Sequence, residues 1–249
     1  MKKYFLFFIT LVFCLTVNGQ NIKDSIVGTS HFRIGYSYQI PGGDLADRFG
    51  NNSNIEIAFG IKTKKNSYFG LSFTSLFGGQ VSEPGLMQNL YTDQGHILSN
   101  DGKISRILIQ ERGYTISLEA GKLFNVIGKN PNCGILVKGG FGFIQHKIRL
   151  EHQFDKINQL EGDYLKGYDR LTNGFQLNEF IGYYHQGNRK LVNYYVGLEA
   201  YQAFTAGRRD YNFDTQTVDN NPRTDLLFGI KAGWIIHLYG RSTGGEYYY

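Results

Sequence analysis

The stretch from Asp225 to Arg241, DLLFGIKAGWIIHLYGR, restricts the choice of fold more than any other part of this chain. Successive strand side chains point to opposite sides. Leu226, Phe228, Ile230, Ala232, Trp234, Ile236 and Leu238 therefore share one face, and Leu227, Gly229, Lys231, Gly233, Ile235 and His237 share the other. The first face is wholly apolar. The second is rich in glycine and carries a lysine and a histidine. An apolar strand face left in water would aggregate, so it needs lipid or a packed core against it.

The same period of two recurs along the chain. Phe32, Ile34, Tyr36, Tyr38 and Ile40 alternate with Arg33, Gly35, Ser37 and Gln39, and Pro41-Gly42-Gly43 ends that strand. Ile55 to Lys62 and Phe69 to Phe77 form a hairpin around Thr63 to Asn66. Tyr114 to Gly121 and Ile135 to Phe143 flank a turn at Asn125 to Asn132, with Ile104 to Ile109 a candidate extension of the former. Phe175 to His185 follows, where Glu179 falls among apolar residues as a misfit, and Gln186 to Lys190 leads to Val192 to Tyr201. With the opening stretch this predicts eight strands, joined by connections that alternate long and short. Gly79 to Gln110, Glu151 to Thr172 and Thr205 to Thr224 are long and aperiodic. A sandwich has no reason to gather its long loops at one end. A membrane barrel does: short turns lie on the periplasmic side and long loops outside. The fold class expected is all-β, an eight-stranded antiparallel transmembrane β-barrel.

Composition agrees with that class. The 249 residues include 18 Tyr, 19 Phe and 32 Gly against 4 Pro, a balance suited to strands, aromatic girdles and turns. Mean hydropathy is −0.31. That value argues against a helical membrane protein but not a barrel, in which only alternate residues face lipid.

The N-terminus reads as a targeting segment. Lys2 and Lys3 precede an apolar run from Tyr4 to Val17, and cleavage is expected after Gly19. The expected divisions are a cleaved signal at 1–19, a periplasmic lead at 20–30, the barrel at 31–241 and a periplasmic tail at 242–249. Basic residues number 26 and acidic 21, and the excess shrinks when Lys2 and Lys3 leave, so nothing calls for a nucleic-acid partner. Cys14 leaves too, and Cys133 alone cannot form an internal disulfide.

In its strand pattern from about Phe32 to Arg241 the chain resembles the small eight-stranded outer-membrane barrels of the OmpX and OmpA transmembrane-domain family. The final strand, with Phe228, Trp234 and Tyr239, is similar to the terminal strand read by the barrel assembly machinery in that family. The resemblance implies a Gram-negative outer membrane, contact with its lipid, and that machinery as a partner during biogenesis. The chain departs from the pattern in continuing past the aromatic end to STGGEYYY. Glu246, Tyr247, Tyr248 and Tyr249 are a candidate partner-binding tail, against the plainer reading of a frayed end. The peptidoglycan-binding module of longer relatives is not expected.

Candidate site residues come from the inward face. Arg33, Glu56, Lys62, Glu119, Lys138, Glu199, Lys231 and His237 would point into a lumen just wide enough to be filled by side chains. Charges held away from water must pair. A salt-bridged plug is the structural reading and a narrow ion path the functional one. For catalysis, His146 and His152 beside Glu151 lack a nearby Ser or Thr on their strand, and they are expected to be interfacial or loop residues. Asp210, Asn212 and Asp214 have the spacing of half a calcium loop, but Thr215 and Asn221 stand where an EF-hand needs Gly and Glu. No catalytic, cofactor or metal site is therefore assigned. The expected function is a non-enzymatic structural or partner-binding barrel, an accessory subunit of a larger envelope or secretion complex. The alternatives are a lipid A-modifying enzyme and a soluble lipocalin-like carrier.

Overall fold

The structure, a computed structural model, describes residues 25–152, 156–187 and 192–238. The expected signal peptide, the end of the last expected strand from Tyr239 to Arg241, and the Glu246–Tyr249 tail lie outside these residues. Eight barrel strands are present: β1 (Thr29–Gly43), β2 (Asn52–Lys62), β3 (Ser67–Gly78), β4 (Ile107–Phe124), β5 (Gly134–His152), β6 (Thr172–Gln186), β7 (Asn193–Gly207) and β8 (Pro222–Leu238). Each pairs antiparallel with its neighbour in sequence, and β1 pairs with β8 from Ser30↔Leu238 to Gly43↔Asp225, closing the ring.

The faces divide as the alternation requires. Phe32, Ile34, Tyr36, Tyr38 and Ile40 are exposed on the outside of β1, while Arg33, Ser37 and Gln39 are buried inside. The same division holds for Ile55, Ile57, Phe59 and Ile61 on β2 and for Phe228, Ile230, Trp234 and Ile236 on β8. A soluble carrier needs its apolar face inside. The lipocalin-like alternative is thereby overturned, because the apolar belt faces outward and the charges face inward.

Several strands run further than their apolar periodicity, β1, β4 and β5 among them. β1 passes through Pro41, paired with Leu227, because its pairing with β2 has already ended at Gln39↔Asn52 and the missing N–H faces no partner. β4 and β5 climb as a hairpin to Ile107↔His152. Along this extension the polarity inverts: Ile144, His146, Ile148 and Leu150 are buried, and Lys147 and Arg149 face out. A strand leaving lipid for water has to exchange its faces in this way. Residues 144–150, absent from the strand expected to end at Phe143, are therefore paired ladder.

The long connections fold into a lid. A short helix, α1 (Asp44–Arg48), follows β1, and a two-residue ladder joins Ile97–Leu98 to Ile104–Ser105 within the connection after β3. Leu45, Phe49, Met87, Leu160 and Tyr168 from the connections pack with Leu76, Ile144, Ile148 and Leu227 from the strands. Ion pairs tie the loops together: Glu83 meets Arg48 at 2.7 Å and Arg170 at 3.4 Å, and Arg170 meets Asp214 at 2.6 Å. Asp214 Oδ2 also accepts the Met87 N–H at 3.0 Å, so the candidate calcium-loop carboxylate serves as a loop anchor.

At the opposite end, Asn132 in the β4–β5 turn accepts from Val27 N–H at 2.8 Å and donates to the Ser25 carbonyl at 2.8 Å, holding the N-terminal lead. Cys133 beside it is 3 % exposed, and burial pushes its thiol above the ordinary range. A raised thiol pKa leaves less thiolate at a given pH. Native barrel at pH 7.5 should resist iodoacetamide, with full labelling of Cys133 only after boiling in SDS, as read by mass spectrometry; fast native labelling would refute this packing. Arg170→Ala should expose the outer loops to trypsin in intact cells while the barrel keeps its heat-modifiable gel mobility.

Candidate functional site

Six strands each contribute one charged residue to an alternating chain at the centre of the lumen. Lys138 on β5 bonds Glu119 on β4 at 2.8 Å. Glu119 bonds Arg33 on β1 at 2.7 Å, and Arg33 reaches Glu56 on β2 at 3.4 Å. Glu56 bonds Lys231 on β8 at 2.7 Å, and Lys231 bonds Glu199 on β7 at 2.6 Å. Positive and negative alternate along the chain, and every member is almost wholly buried.

Neutral groups from the remaining positions take up the spare lone pairs, as buried carboxylates require. Glu199 accepts from Ser37, from Gln39 at 2.8 Å and from Asn54 at 3.1 Å. Glu119 accepts from Ser72 on β3 at 3.2 Å. The Tyr195 hydroxyl donates to Glu56 at 3.1 Å, and the Arg33 guanidinium lies over the rings of Tyr68 and Tyr195 at 5.2 and 5.6 Å.

Two glycines make this crossing possible. Gly35 and Gly233 face each other in register, and a Cβ on either would stand 2.3 or 2.5 Å from the Tyr195 hydroxyl. That approach is far inside van der Waals contact. These two glycines, on the inner faces of β1 and β8, are thus the space into which the tyrosine reaches.

Lys62 and His237 point inward but stand apart from the chain. Lys62 closes the inner mouth, donating to the Val27 carbonyl at 2.8 Å, Asn132 at 2.9 Å and Asn66 at 3.1 Å. His237 meets the Thr29 hydroxyl at 2.7 Å and packs edge-on against His31. Both residues sit at the strand ends nearest the short turns, beyond the reach of the central carboxylates.

The histidines weighed for catalysis do not assemble. His146 is buried inside the upper barrel rather than interfacial, because its parity on the extended β5 turns it inward. Its Nε2 faces Asp225 at 3.1 Å, and Thr205 donates to that same carboxylate at 2.6 Å. A nucleophile–base relay needs the histidine between hydroxyl and acid; here the acid is in the middle. His152 instead faces Glu161 at 3.7 Å. Among the described residues no group of His, Cys, Asp and Glu is arranged to hold a metal ion.

No protein-family model matches the sequence, and no curated protein aligns with it significantly. Several solved structures align with most of this chain at low identity. Neisserial surface protein A is 8% identical, with 85% of this chain and 99% of that one aligned at a TM-score of 0.49. The Ail attachment invasion locus protein of Yersinia pestis is 10% identical over 84% of this chain and 99% of that one, with a TM-score of 0.43. The outer membrane protein OprG of Pseudomonas aeruginosa is 11% identical over 88% and 100%, with a TM-score of 0.36. Ring closure, an apolar exterior and a polar lumen give this chain the architecture of a small eight-stranded outer-membrane barrel.

Arg33 joins Glu56 to Glu119, and its loss would leave the buried chain with one uncompensated negative charge. Arg33→Met should lower barrel stability by about 3–5 kcal/mol, the usual consequence of stranding a buried charge. Urea titration followed by unheated gel mobility measures this. Adding Glu119→Gln to Arg33→Met should recover part of the loss, and an Arg33→Met barrel as stable as wild type would refute the account.

Proposed function

We propose that this protein is a non-enzymatic outer-membrane barrel that works through the surfaces it presents, as a structural or partner-binding component of a larger envelope or secretion complex. The observation that carries this reading is the lumen: neutralised side chains fill its centre, and packed loops cover its outer end. A lumen filled in this way favours display over transport. The barrel's belt meets outer-membrane lipid, and its assembly uses the barrel assembly machinery. The tail residues Glu246, Tyr247, Tyr248 and Tyr249 are proposed as one periplasmic contact for a partner.

The lipid A-modifying alternative loses support from His146, whose Nε2 is occupied by Asp225. Lipid A from cells with and without His146→Ala should have the same mass spectrum, and a shifted spectrum would revive that alternative. Purified barrel in planar bilayers should show no conductance steps above the empty membrane; regular steps would favour the ion-path reading. Deleting Gly244 to Tyr249 should release the partner in a pull-down while leaving the heat-modifiable gel shift intact.

A further inference from the structure

Glu179 breaks the pattern of the outer surface. It stands at the midpoint of β6, exposed, between buried Asn178 and Phe180, so it faces the same way as Phe175, Leu177 and Ile181. Among the described residues it makes no hydrogen bond or ion pair. Its cross-strand neighbours, Gly139 and Ala200, offer it no side-chain donor. The hydrocarbon-facing band of such barrels is about 25 Å tall, which leaves the midpoint about 12 Å from either headgroup layer. Two methylenes cannot carry a carboxyl that far, so water and headgroups are out of reach. A polar group in this setting marks a function by default, with its partner to be found.

The surface around it is shaped. Gly139, Glu179, Ala200 and Phe228 form one cross-strand row over β5 to β8, and Val137, Ile181, Leu198 and Ile230 form the next. Along these rows runs a groove of about 640 Å³, whose exposed lining is apolar apart from Glu179 and the Tyr38 hydroxyl; Lys138 and Glu199, which also line it, are buried toward the lumen. Crowding does not impose the glycine. A Cβ on Gly139 would meet only the Asn178 carbonyl, at 3.9 Å, so the missing side chain leaves free depth next to the carboxyl.

We infer that this groove docks a different membrane-spanning protein, which sets a lysine or arginine against Glu179. The inference rests on the partner-binding reading above and names a site for it. Charge complementarity selects the occupant. An acyl chain has no donor for the carboxyl. A second copy has none at this depth either: Arg112, Lys122, Lys147 and Arg149, the outward cations of β4 and β5, stand toward the strand ends. A foreign strand or helix carrying a cation at mid-membrane satisfies the carboxyl, and the small residues beside it let the two backbones approach.

A photo-crosslinking residue at Leu198, in the full chain in native membranes, tests this against the same probe at Ile57 on β2. The expected result is a protein adduct at Leu198 only, whose cross-linked peptide is membrane-spanning and contains a lysine or arginine. Glu179→Gln should reduce that adduct roughly tenfold or more, as loss of a desolvated charge pair does. Gly139→Leu, which fills the groove and spares the carboxyl, should do the same, with gel mobility reporting that both variants fold. Adducts to lipid alone, to a second copy of this chain, or of unchanged yield in Glu179→Gln would each overturn the inference. A probe at Tyr164 in the outer loops separates the two levels. Capture there without capture at Leu198 would defeat the groove and leave partner binding standing; capture at neither would defeat the groove and confine partner binding to the periplasmic tail, which the tail deletion tests.

Discussion

A backbone that crosses hydrocarbon finds no water for its N–H and C=O groups, so every strand needs a partner on both sides. Pairing of β1 with β8 meets that demand. It also fixes the rest of the structure. A ring of eight strands has a lumen about as wide as the side chains that enter it. Whatever the sequence places on the inner face must meet at the centre, and whatever it places on the outer face must meet lipid.

The inner face answers with a neutral alternating chain from Lys138 to Glu199, in which each carboxylate touches a cation. No pair in it is independent, since Arg33 serves two carboxylates and Lys231 serves two. Such a centre is rigid, and the room for it comes from Gly35 and Gly233. The ends are closed differently: Lys62 and Asn132 bind the N-terminal lead at one mouth, and an apolar cluster under the loops covers the other. Transport finds little support in this interior. The surfaces that remain are the loops, the periplasmic end and the lipid-facing belt with Glu179.

The strands are legible in the sequence because lipid and lumen enforce opposite polarities on alternate residues. The outward face stops being apolar where lipid ends. On β5 the apolar parity passes from Phe143, facing out, to Ile144, facing in, so residues 144–150 look aperiodic to a search for one continuous apolar face. The change of parity is itself legible, and it marks where the strand leaves the membrane. His146 belongs to the same stretch, which is why it reads as interfacial in sequence and lies buried in the fold.

The sequence by itself determined the strand count, the outward and inward sets, the alternation of long and short connections, and the outward position of Glu179, because all of these follow from a period of two. Tertiary structure decided which inward charges touch. Height in a tilted barrel depends on the register of all eight pairings, so residues such as Lys62 and Lys231 share a face yet occupy different layers. It also decided that the loops form a lid, since Glu83, Arg170 and Asp214 come from separate connections and have no spacing in sequence that could reveal their meeting.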